Sequence, residues 1–368
     1  MHIVFLFPNR LPEGQLTNIP SIMTRQIIDE RFMQIALTEA RKGLGLTSPN
    51  PAVGAVLVVG NRVIARGHHR GAGFPHAEIE CLRNLDRPVS KDAALYVTLE
   101  PCSTTGRTPA CTAEIIKAGL KTVAIGAIDP NPRHSGRAIK LLQNAGIETR
   151  SGILADECAL MNETFNKWIV SGQPFVMAKC GMSLDGKLTR PPRETRWITS
   201  PRARKDAQQL RAQFDAILVG AETVRRDNPH LTVRGVRGAR QPIRVVMTRS
   251  GNFSRYARVF TDRFAKKTIV YQNKSLDFVL RDLGRRNITS LIIEGGGDIL
   301  SQALEKRRID KIQIYLGPVI TGGPVLAFGG HGAESTLQGV RLQPVSFQKL
   351  GQDVCVIGYP NYPRSEAE

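Results

Sequence analysis

The sequence predicts an α/β protein made of two domains. Short apolar runs with strand character alternate with segments whose apolar residues recur at helical spacing, a pattern typical of layered α/β folds. The 368 residues are about twice the length of a common domain. A turn-forming run, Ser171-Gly172-Gln173-Pro174, separates two such series. We therefore expect one domain at 23–170, a second at 174–362, and an extension at 1–22 outside the fold.

The first series begins with a helix and a hairpin. Phe32, Ile35, Ala36 and Ala40 recur at helical spacing and predict a helix from Arg31 to Lys42. Gly60-Asn61 then joins two strands as a tight turn. The strands of this half are predicted at 53–59, 62–67, 94–99, 122–128 and 148–152, and its further helices from His76, from Cys111, at 136–145 and at 156–169.

The second series has more strands. Ser200 followed by Pro201 is a helix start, because serine caps the first turn and proline favours its first position. That helix is predicted to end near Gln213, and another follows the glycines at 295–297. The strands of this half are predicted at 175–179, 216–220, 243–247, 268–271, 291–294, 311–316 and 354–359.

Composition narrows the possible functions. The formal net charge is +19, but the basic residues are scattered and are not interleaved with aromatic residues, so a nucleic-acid partner is not expected. No apolar run approaches the roughly 20 residues of a membrane span. Six cysteines without a secretion signal favour a reduced, cytoplasmic protein.

One short stretch carries the ligands for a metal. His76, Cys102 and Cys111 offer one nitrogen and two thiolates, a set suited to catalytic zinc, which keeps a fourth position for water. Glu78 lies close enough to exchange protons with that water without binding the metal. Zinc nucleobase deaminases share this H-x-E and P-C arrangement. Their cysteines are usually two residues apart, whereas eight residues, Ser103 to Ala110, intervene here.

The second series contains a candidate phosphate site. A strand followed by Gly295-Gly296-Gly297 and a helix brings backbone N–H groups towards an anion. A plain tight turn accounts equally for the glycines taken alone. Lys179, Asp227 and Glu294 fall at strand ends or in a nearby loop, where each could serve this site or form an exposed salt bridge.

At this point the sequence resembles the bifunctional deaminase–reductase family of riboflavin biosynthesis over nearly its whole length past Met23. The long cysteine spacing is the one that this family uses. Thr104, Thr105 and Ala110 depart from the family pattern without touching a proposed zinc ligand. The matching motifs are Ser48-Pro49-Asn50-Pro51, Gly73-Phe74-Pro75-His76-Ala77-Glu78, Thr98 to Cys111, Asp129-Pro130-Asn131-Pro132, Lys179 to Gly186, Trp197-Ile198-Thr199-Ser200, Asp227-Asn228-Pro229, Leu231-Thr232-Val233-Arg234 and Ile293-Glu294-Gly295-Gly296.

The resemblance implies two reactions and two folds. A cytidine-deaminase-like three-layer α/β/α domain would use Zn²⁺ to deaminate a 2,5-diamino-6-(5-phosphoribosylamino)pyrimidin-4-one. A domain similar to dihydrofolate reductase would then use NADPH to reduce the ribosyl group of the product to ribityl. The family forms dimers or tetramers, so a homo-oligomer is expected. The other binding partner that the resemblance implies is the substrate, a small phosphoribosylated pyrimidine.

The resemblance also implies roles for individual residues. Glu78 would be the proton carrier of the deaminase, and Lys179 and Glu294 would handle protons during hydride transfer. The deaminase substrate would contact Asn50, His69, Arg107, Asp129 and Asn131, with Arg107 as the natural partner of its phosphate. The cofactor would contact Gly181, Trp197, Thr223, Asp227 and the segment Gly296, Gly297, Asp298, Ile299, Leu300, Ser301 and Gln302. The sugar phosphate in the reductase would contact Thr195, Arg211, Leu231, Arg234 and Glu294.

Two other readings remain at the level of sequence. A tRNA or nucleobase deaminase with a non-reductase nucleotide-binding domain would share the zinc chemistry and suit the positive charge, but would leave the second half without an account. A structural zinc module fused to a nucleotide-binding regulator would need a fourth zinc ligand. No fourth Cys or His occurs at suitable spacing.

Overall fold

The computed structural model describes residues 21–86, 88–104, 109–188 and 197–363, which form two compact units, with the division in the sequence between Ser171 and Gly172. Both units are α/β, so the predicted fold class is confirmed. Most of the expected N-terminal extension lies outside these ranges, as do the candidate residues Arg107 and Thr195 and the departing position Thr105. No helix in these ranges combines the length and the apolar character needed to cross a bilayer.

The N-terminal unit is built on a five-stranded sheet with the order β2-β1-β3-β4-β5. Strand β1 is antiparallel to β2 and β3, whereas β3, β4 and β5 are parallel. The elements in chain order are α1 (Ser21–Arg41), β1 (Gly54–Val59), β2 (Arg62–His68), α2 (Ala77–Arg83), β3 (Ala93–Leu99), α3 (Cys111–Lys117), β4 (Thr122–Ala127), α4 (Arg137–Asn144), β5 (Glu148–Ser151), α5 (Ala155–Met161) and α6 (Glu163–Ser171).

Helices cover both faces of this sheet. Helices α1 and α5 pack on one face, where Phe32 and Leu37 contact the strands, and α2, α3 and α4 pack on the other. The hairpin lies especially close to its helices. A Cβ at Gly54 would lie 2.0 Å from the carbonyl oxygen of Ala36 in α1, and one at Gly67 would lie 2.3 Å from the amide nitrogen of Cys81 in α2.

Two helix limits differ from the sequence prediction. Helix α1 begins at Ser21 rather than Arg31. Polar contacts hold its added turns: Arg25 pairs with Glu148 at 2.7 Å, and buried Asp29 accepts hydrogen bonds from the Tyr96 hydroxyl and from Arg150. The helix expected at 156–169 is broken at Asn162. Its side chain accepts a hydrogen bond from the N–H of Ala52 and donates one to the same residue's carbonyl, so it serves the loop before β1.

The C-terminal unit is built on an eight-stranded sheet with the order β12-β13-β11-β6-β10-β7-β8-β9. Its strands from β11 to β9 are parallel, and β13 and β12 add an antiparallel edge. The elements are β6 (Phe175–Ser183), α7 (Pro201–Ala212), β7 (Ala216–Gly220), α8 (Ala221–Asp227), β8 (Ile243–Thr248), α9 (Arg258–Thr261), β9 (Thr268–Gln272), α10 (Leu276–Arg285), β10 (Ser290–Glu294), α11 (Gly297–Glu305), β11 (Lys311–Gly317), β12 (Arg341–Leu350) and β13 (Asp353–Asn361).

This sheet is also covered on both faces. Helices α10 and α11 pack on one face, and α7, α8 and α9 on the other. The Ser200 side chain accepts a hydrogen bond from the N–H of Ala203 at 3.3 Å, so the predicted start of α7 is confirmed. The sequence did not predict α8, α9, α10 or β12. Strand β12 lacks a recognisable strand pattern, because most of its residues are exposed and Pro344 interrupts its pairing with β13.

Candidate active sites

The structure brings the three predicted zinc ligands together in the N-terminal unit. His76 directly precedes the first residue of α2, Cys102 follows the end of β3, and Cys111 is the first residue of α3. Their ligand atoms all lie within 4.8 Å of one another. The site therefore lies where parallel strands end and helices begin, the usual place for a site in an open α/β sheet.

The spacing of these atoms suits a zinc ion. His76 Nδ1 lies 3.2 Å from Cys111 Sγ and 3.5 Å from Cys102 Sγ. Tetrahedral zinc, with bonds of about 2.0–2.1 Å to nitrogen and about 2.3 Å to sulfur, separates nitrogen and sulfur ligands by about 3.6 Å. Among the described residues no fourth His, Cys, Asp or Glu joins the cluster. Three protein ligands match a catalytic site rather than a saturated structural one.

Burial and mutual contacts shift the protonation of this group. The hydrogen bond from Cys111, reinforced by His76, lowers the pKa of Cys102 to about 4 and so favours its thiolate. The same contact raises the pKa of Cys111. Glu78 lies in the first turn of α2, and burial raises its pKa. A carboxyl group that gains a proton easily can accept one from water and pass it on.

His69 lies beside the cluster with both ring nitrogens engaged. Its Nδ1 donates to the carbonyl of Pro75 at 3.0 Å, and its Nε2 accepts from the side-chain amide of Asn50 at 3.1 Å. Burial lowers the pKa of His69, in keeping with this neutral ring. The ring centroids of His69 and His76 are 5.3 Å apart. His68, the neighbouring histidine, instead faces Glu39 at 3.9 Å.

A buried carboxylate that the sequence reasoning missed holds the loop with Asp129 and Asn131. Glu100 accepts hydrogen bonds from the N–H groups of Asp129, Gly136 and Ala138 at 3.2, 2.9 and 2.9 Å. Asp129 in turn accepts from the N–H of Asn131 at 2.9 Å. The position of Glu100, between the end of a strand and Pro101-Cys102, is the sequence signal that could have revealed it.

In the C-terminal unit, Lys179, Arg211 and Glu294 meet around one carboxylate. Lys179 and Glu294 are register partners on the neighbouring parallel strands β6 and β10, with Nζ 3.9 Å from Oε2. Arg211, on α7, binds both oxygens of Glu294, and its Nε lies 2.7 Å from Oε1. Burial alone would favour neutral Glu294, but the positive charges of Arg211 and Lys179 lower its pKa to about 2.

The segment that follows α8 is hydrogen-bonded to α7. Arg211 Nη1 donates to the carbonyl of Thr232 at 3.1 Å, directly after Leu231, and the N–H of Arg234 donates to the Gln208 side chain at 2.8 Å. Leu231 is buried and has a φ of 51°, a strained conformation for a leucine. The structure thus brings the predicted sugar-phosphate contacts Arg211, Leu231, Arg234 and Glu294 to one side of α7.

Lys179 is also held from its other side. Its ammonium group lies 5.6 Å from the ring centroid of Tyr315, whose hydroxyl donates to Asp206 at 2.8 Å. Sequence reasoning singled out neither Tyr315 nor Asp206. Tyr315 lies in β11 and Asp206 in α7, and neither belongs to a recognisable motif. The pairing of β11 with β6 places the tyrosine ring beside Lys179.

The glycine turn has the backbone of a close-approach site. Gly295 and Gly296 have φ values of 87° and 78°, which glycine adopts readily. A Cβ at Gly296 would lie 3.5 Å from Thr223 Oγ1, so Thr223 adjoins the turn. A Cβ at Gly297 would lie 2.1 Å from the carbonyl oxygen of Leu326, so α11 can start here only with glycine.

The other predicted cofactor residues fall into distinct settings. Ile299 and Leu300 turn their side chains into the core, and Ser301 uses its hydroxyl on Gly297 and Gly329, so this segment can offer a ligand mainly backbone groups. Asp298 is exposed and Gln302 is half-buried. Gly181 lies in β6 beside Thr199, Trp197 is exposed beneath the Arg204 guanidinium, and Asp227 ends α8.

Comparisons with known proteins agree with both halves of the chain. Residues 26–127 match the cytidine and deoxycytidylate deaminase zinc-binding region, and residues 174–356 match the RibD C-terminal domain. Riboflavin biosynthesis protein RibD of Aquifex aeolicus is 35% identical over 89% of this chain and 98% of its own length. The Synechocystis protein of the same name is 37% identical over 90% of this chain and 96% of its own length.

A solved structure is similar over the same extent. The Thermotoga maritima diaminohydroxyphosphoribosylaminopyrimidine deaminase/5-amino-6-(5-phosphoribosylamino)uracil reductase superposes with a TM-score of 0.84 at 34% identity. The match covers 92% of this chain and all of that one. The similarity therefore extends through both units rather than through the zinc-binding half alone.

Proposed function

Because this chain belongs to the RibD family of riboflavin biosynthesis proteins, we propose the following division of labour between its two halves. It is a bifunctional enzyme, a zinc-dependent aminohydrolase joined to an NADP-dependent reductase. A domain at 23–170 deaminates 2,5-diamino-6-(5-phosphoribosylamino)pyrimidin-4-one. A domain at 174–362 reduces the ribosyl group of 5-amino-6-(5-phosphoribosylamino)uracil to ribityl.

The convergence of His76, Cys102 and Cys111 beside a buried glutamate is the observation that carries the deaminase assignment. These three residues would hold zinc, which supplies a Lewis acid able to lower the pKa of water towards about 7. Glu78 would take a proton from the attacking water and pass protons to the ring nitrogen and the leaving ammonia. Because Glu78 is outside the ligand cluster, its carboxylate remains available for this transfer.

The neighbouring polar residues would orient the pyrimidine. Asn50 and His69 form one hydrogen-bonded pair beside His76, and Glu100 fixes the loop that carries Asp129 and Asn131. We assign Asn50, His69, Asp129 and Asn131 to substrate binding. Arg107, which lies outside the described residues, completes this set. Glu100 acts through the loop and is a positioning residue.

In the reductase half, NADPH supplies the hydride. The backbone of 296–302, together with Gly181, Trp197, Thr223 and Asp227, would bind the cofactor, with the pyrophosphate at the start of α11. The fit rests on the glycine backbone, since a side chain at Gly296 would fill the space beside Thr223. Thr195, Arg211, Leu231, Arg234 and Glu294 would hold the sugar phosphate.

Reduction opens the sugar ring, so a hydride reaches C1′ and a proton reaches the ring oxygen. Of the two residues proposed to handle protons, Lys179 suits delivery better than Glu294. Glu294 is held ionised by Arg211 and has no proton to give near neutral pH. In the proton transfer its role is to place Lys179 and Arg211, in addition to its contact with the substrate.

We also propose a cytoplasmic homo-oligomer, a dimer or a tetramer. All six cysteines are free thiols, and two of them must stay reduced to bind zinc. Light scattering coupled to size-exclusion chromatography would give the subunit number, and a monomer at micromolar concentration would contradict the oligomer.

A two-stage assay tests the function as a whole. The zinc-loaded chain is given the diamino ribotide and ammonia is measured; NADPH is then added and its absorbance is followed. We expect ammonia first and NADPH oxidation only afterwards. Removing zinc with a chelator should stop the first signal while leaving reduction of separately prepared deaminated substrate. Deamination of tRNA in place of the ribotide would instead support a nucleic-acid deaminase.

A further inference from the structure

A row of polar side chains crosses the sheet of the C-terminal unit at Lys179. This residue of β6 is the register partner of Glu294 on β10 and of Gln313 on β11. Register partners on parallel strands turn their side chains to the same face of a sheet, as do residues two apart on one strand. These three residues and Tyr315 therefore share the face that α7 covers.

Glu294 alone does not fix the ammonium group of Lys179. Both oxygens of this carboxylate bind the Arg211 guanidinium, and Nζ of Lys179 lies 3.9 Å from Oε2, beyond hydrogen-bonding distance. Within the described ranges, no oxygen accepts a hydrogen bond from this Nζ. Glu294 thus supplies charge without direction, and a lysine on its flexible four-carbon stem needs a second support to keep one geometry.

The ring of Tyr315 supplies the second support. The Lys179 ammonium group lies 5.6 Å from the ring centroid, within the distance at which the face of an aromatic ring attracts a cation. Tyr315 is 1% exposed, and such contacts are stronger where water is excluded. Because the ring holds the charge without a hydrogen-bond acceptor, the N–H groups of Lys179 stay able to donate to a bound sugar.

The Tyr315 ring is itself fixed by a buried polar network. Its hydroxyl donates to Asp206 Oδ2 at 2.8 Å, and the Gln313 side-chain amide donates to the hydroxyl at 2.6 Å and to the same carboxylate at 3.2 Å. Burial raises the pKa of Tyr315, so the hydroxyl keeps the proton that it donates. Ala203 and Ala207 of α7 belong to the same apolar cluster as the tyrosine. The orientation of the ring is thus set by α7 and β11 together.

We propose that Tyr315 is a positioning residue of the reductase: anchored by Asp206 and Gln313, it holds the Lys179 ammonium group where that group delivers its proton. The inference rests on the proposed role of Lys179 as proton donor. In the step concerned, NADPH gives a hydride to C1′ and becomes NADP⁺, the bond from C1′ to the ring oxygen breaks, and that oxygen takes a proton from Lys179. Tyr315 acts through the lysine alone.

NADPH oxidation with the deaminated ribotide tests this role. Tyr315→Leu removes the ring and keeps an apolar side chain, whereas Tyr315→Phe keeps the ring and loses only the hydroxyl. We expect kcat to fall about 10-fold in Tyr315→Leu, the range of a cation–ring contact. The KM values for ribotide and NADPH should stay within about twofold of wild type. Tyr315→Phe should recover kcat to within about threefold of wild type, because the ring face remains.

A double-mutant cycle separates positioning of Lys179 from support of the fold. In the Lys179→Met background, measured in single turnovers with enzyme in excess, adding Tyr315→Leu should change the rate by less than about twofold, because the group through which the ring acts is gone. Equal fold losses in both backgrounds would show a structural role and overturn the proposal. A wild-type kcat in Tyr315→Leu, or a Tyr315→Phe enzyme as slow as Tyr315→Leu, would overturn it as well.

Tyr271→Leu is the matched control for loss of a buried tyrosine. The Tyr271 hydroxyl, on β9, also donates to a helical carboxylate, that of Asp282 in α10, but no lysine of the described chain lies over its ring. This variant should lose stability to urea and keep its kcat. If Tyr315→Leu does not fold, Tyr315→Met takes its place, because methionine fills irregular space. Normal reduction by Lys179→Met would overturn the proton donor itself, and the inference with it.

Discussion

The two candidate sites are assembled in different ways. The zinc cluster is drawn from two helix starts and one strand end, and its three ligands occur within a single stretch of sequence, 76–111. The reductase cluster depends on residues far apart in the chain: Arg211 and Glu294 are 83 residues apart and form a buried ion pair. One site is defined by a local motif, the other by the register of a parallel sheet.

This difference has consequences for how each site fails. Removing a group at the zinc cluster should affect chemistry directly, because the residues there are ligands or proton carriers. Removing a group at the reductase cluster should also disturb its partners, since Glu294 stabilises two cations at once. The following predictions, ordered from the largest expected effect, test whether the two sites are independent in this way.

Glu78→Gln should reduce deamination about 10²- to 10⁴-fold, the usual contribution of a positioned acid–base group. Zinc content and NADPH-dependent reduction of the deaminated substrate should not change, because glutamine preserves shape and Glu78 is not a ligand. Glu157→Gln makes the same change in the exposed first turn of α5 and should be silent. Ammonia release at the wild-type rate by Glu78→Gln would remove this residue from the mechanism.

Lys179→Ala and Lys179→Met should reduce NADPH oxidation about 10²-fold or more, because neither side chain can deliver a proton. Ammonia release should remain at the wild-type level. Lys349→Ala, an exposed lysine of β12, is the matched control for loss of charge in this unit. If Lys179→Met reduces the sugar normally, the proton must come from another group.

Glu294→Gln should destabilise the C-terminal unit and change its pH dependence. The folded-state pKa of Glu294 is about 2, below the usual 4.5, so its contribution to stability is present above pH 4.5 and is lost as pH falls towards 2. The shift corresponds to about 3 kcal/mol near neutral pH. Urea unfolding at pH 7 and at low pH measures this: the difference between wild type and variant should shrink on acidification, and a constant difference would contradict the assigned ionisation.

Ser200→Ala should have the smallest effect, about 1 kcal/mol of unfolding free energy, because it removes the cap of α7. Since α7 carries Arg211, a modest rise in the KM of the reductase substrate should accompany it. Ser275→Ala removes the equivalent cap of α10, which carries none of the proposed site residues. It should lower stability similarly and leave KM unchanged; equal KM changes in both variants would argue against a specific role for α7.

Local patterns made much of the N-terminal site predictable. Glycine and asparagine set the hairpin turn, and the two helices that carry His76 and Cys111 begin where the loop residues end. Glu100 could not be assigned from its residue type, because its three hydrogen bonds go to backbone groups about 30 or more residues further along the chain. Asn162 likewise interrupts a helical pattern to serve a distant loop.

The contacts in the C-terminal site were harder to predict from the sequence, for a physical reason. Nothing local pairs Lys179 with Glu294; the two residues are 115 positions apart in the sequence, and their contact depends on β10 lying beside β6. Nor does local sequence show that Leu300 faces the core or that Tyr315 flanks Lys179. The candidate residues came from resemblance, whereas their contacts required the assembled sheet.

The hairpin glycines give the N-terminal unit an uneven tolerance to mutation. Any side chain at Gly54 or Gly67 would collide with helix backbone, which cannot move aside as a flexible side chain can. The hairpin leading to His69 is thereby packed tightly against two helices, with β1 against α1 at Gly54 and β2 against α2 at Gly67. Substitutions on the exposed helix faces should be tolerated. Alanine at either glycine would push the helix away from the sheet and so displace His69 and His76, although it changes no polar group.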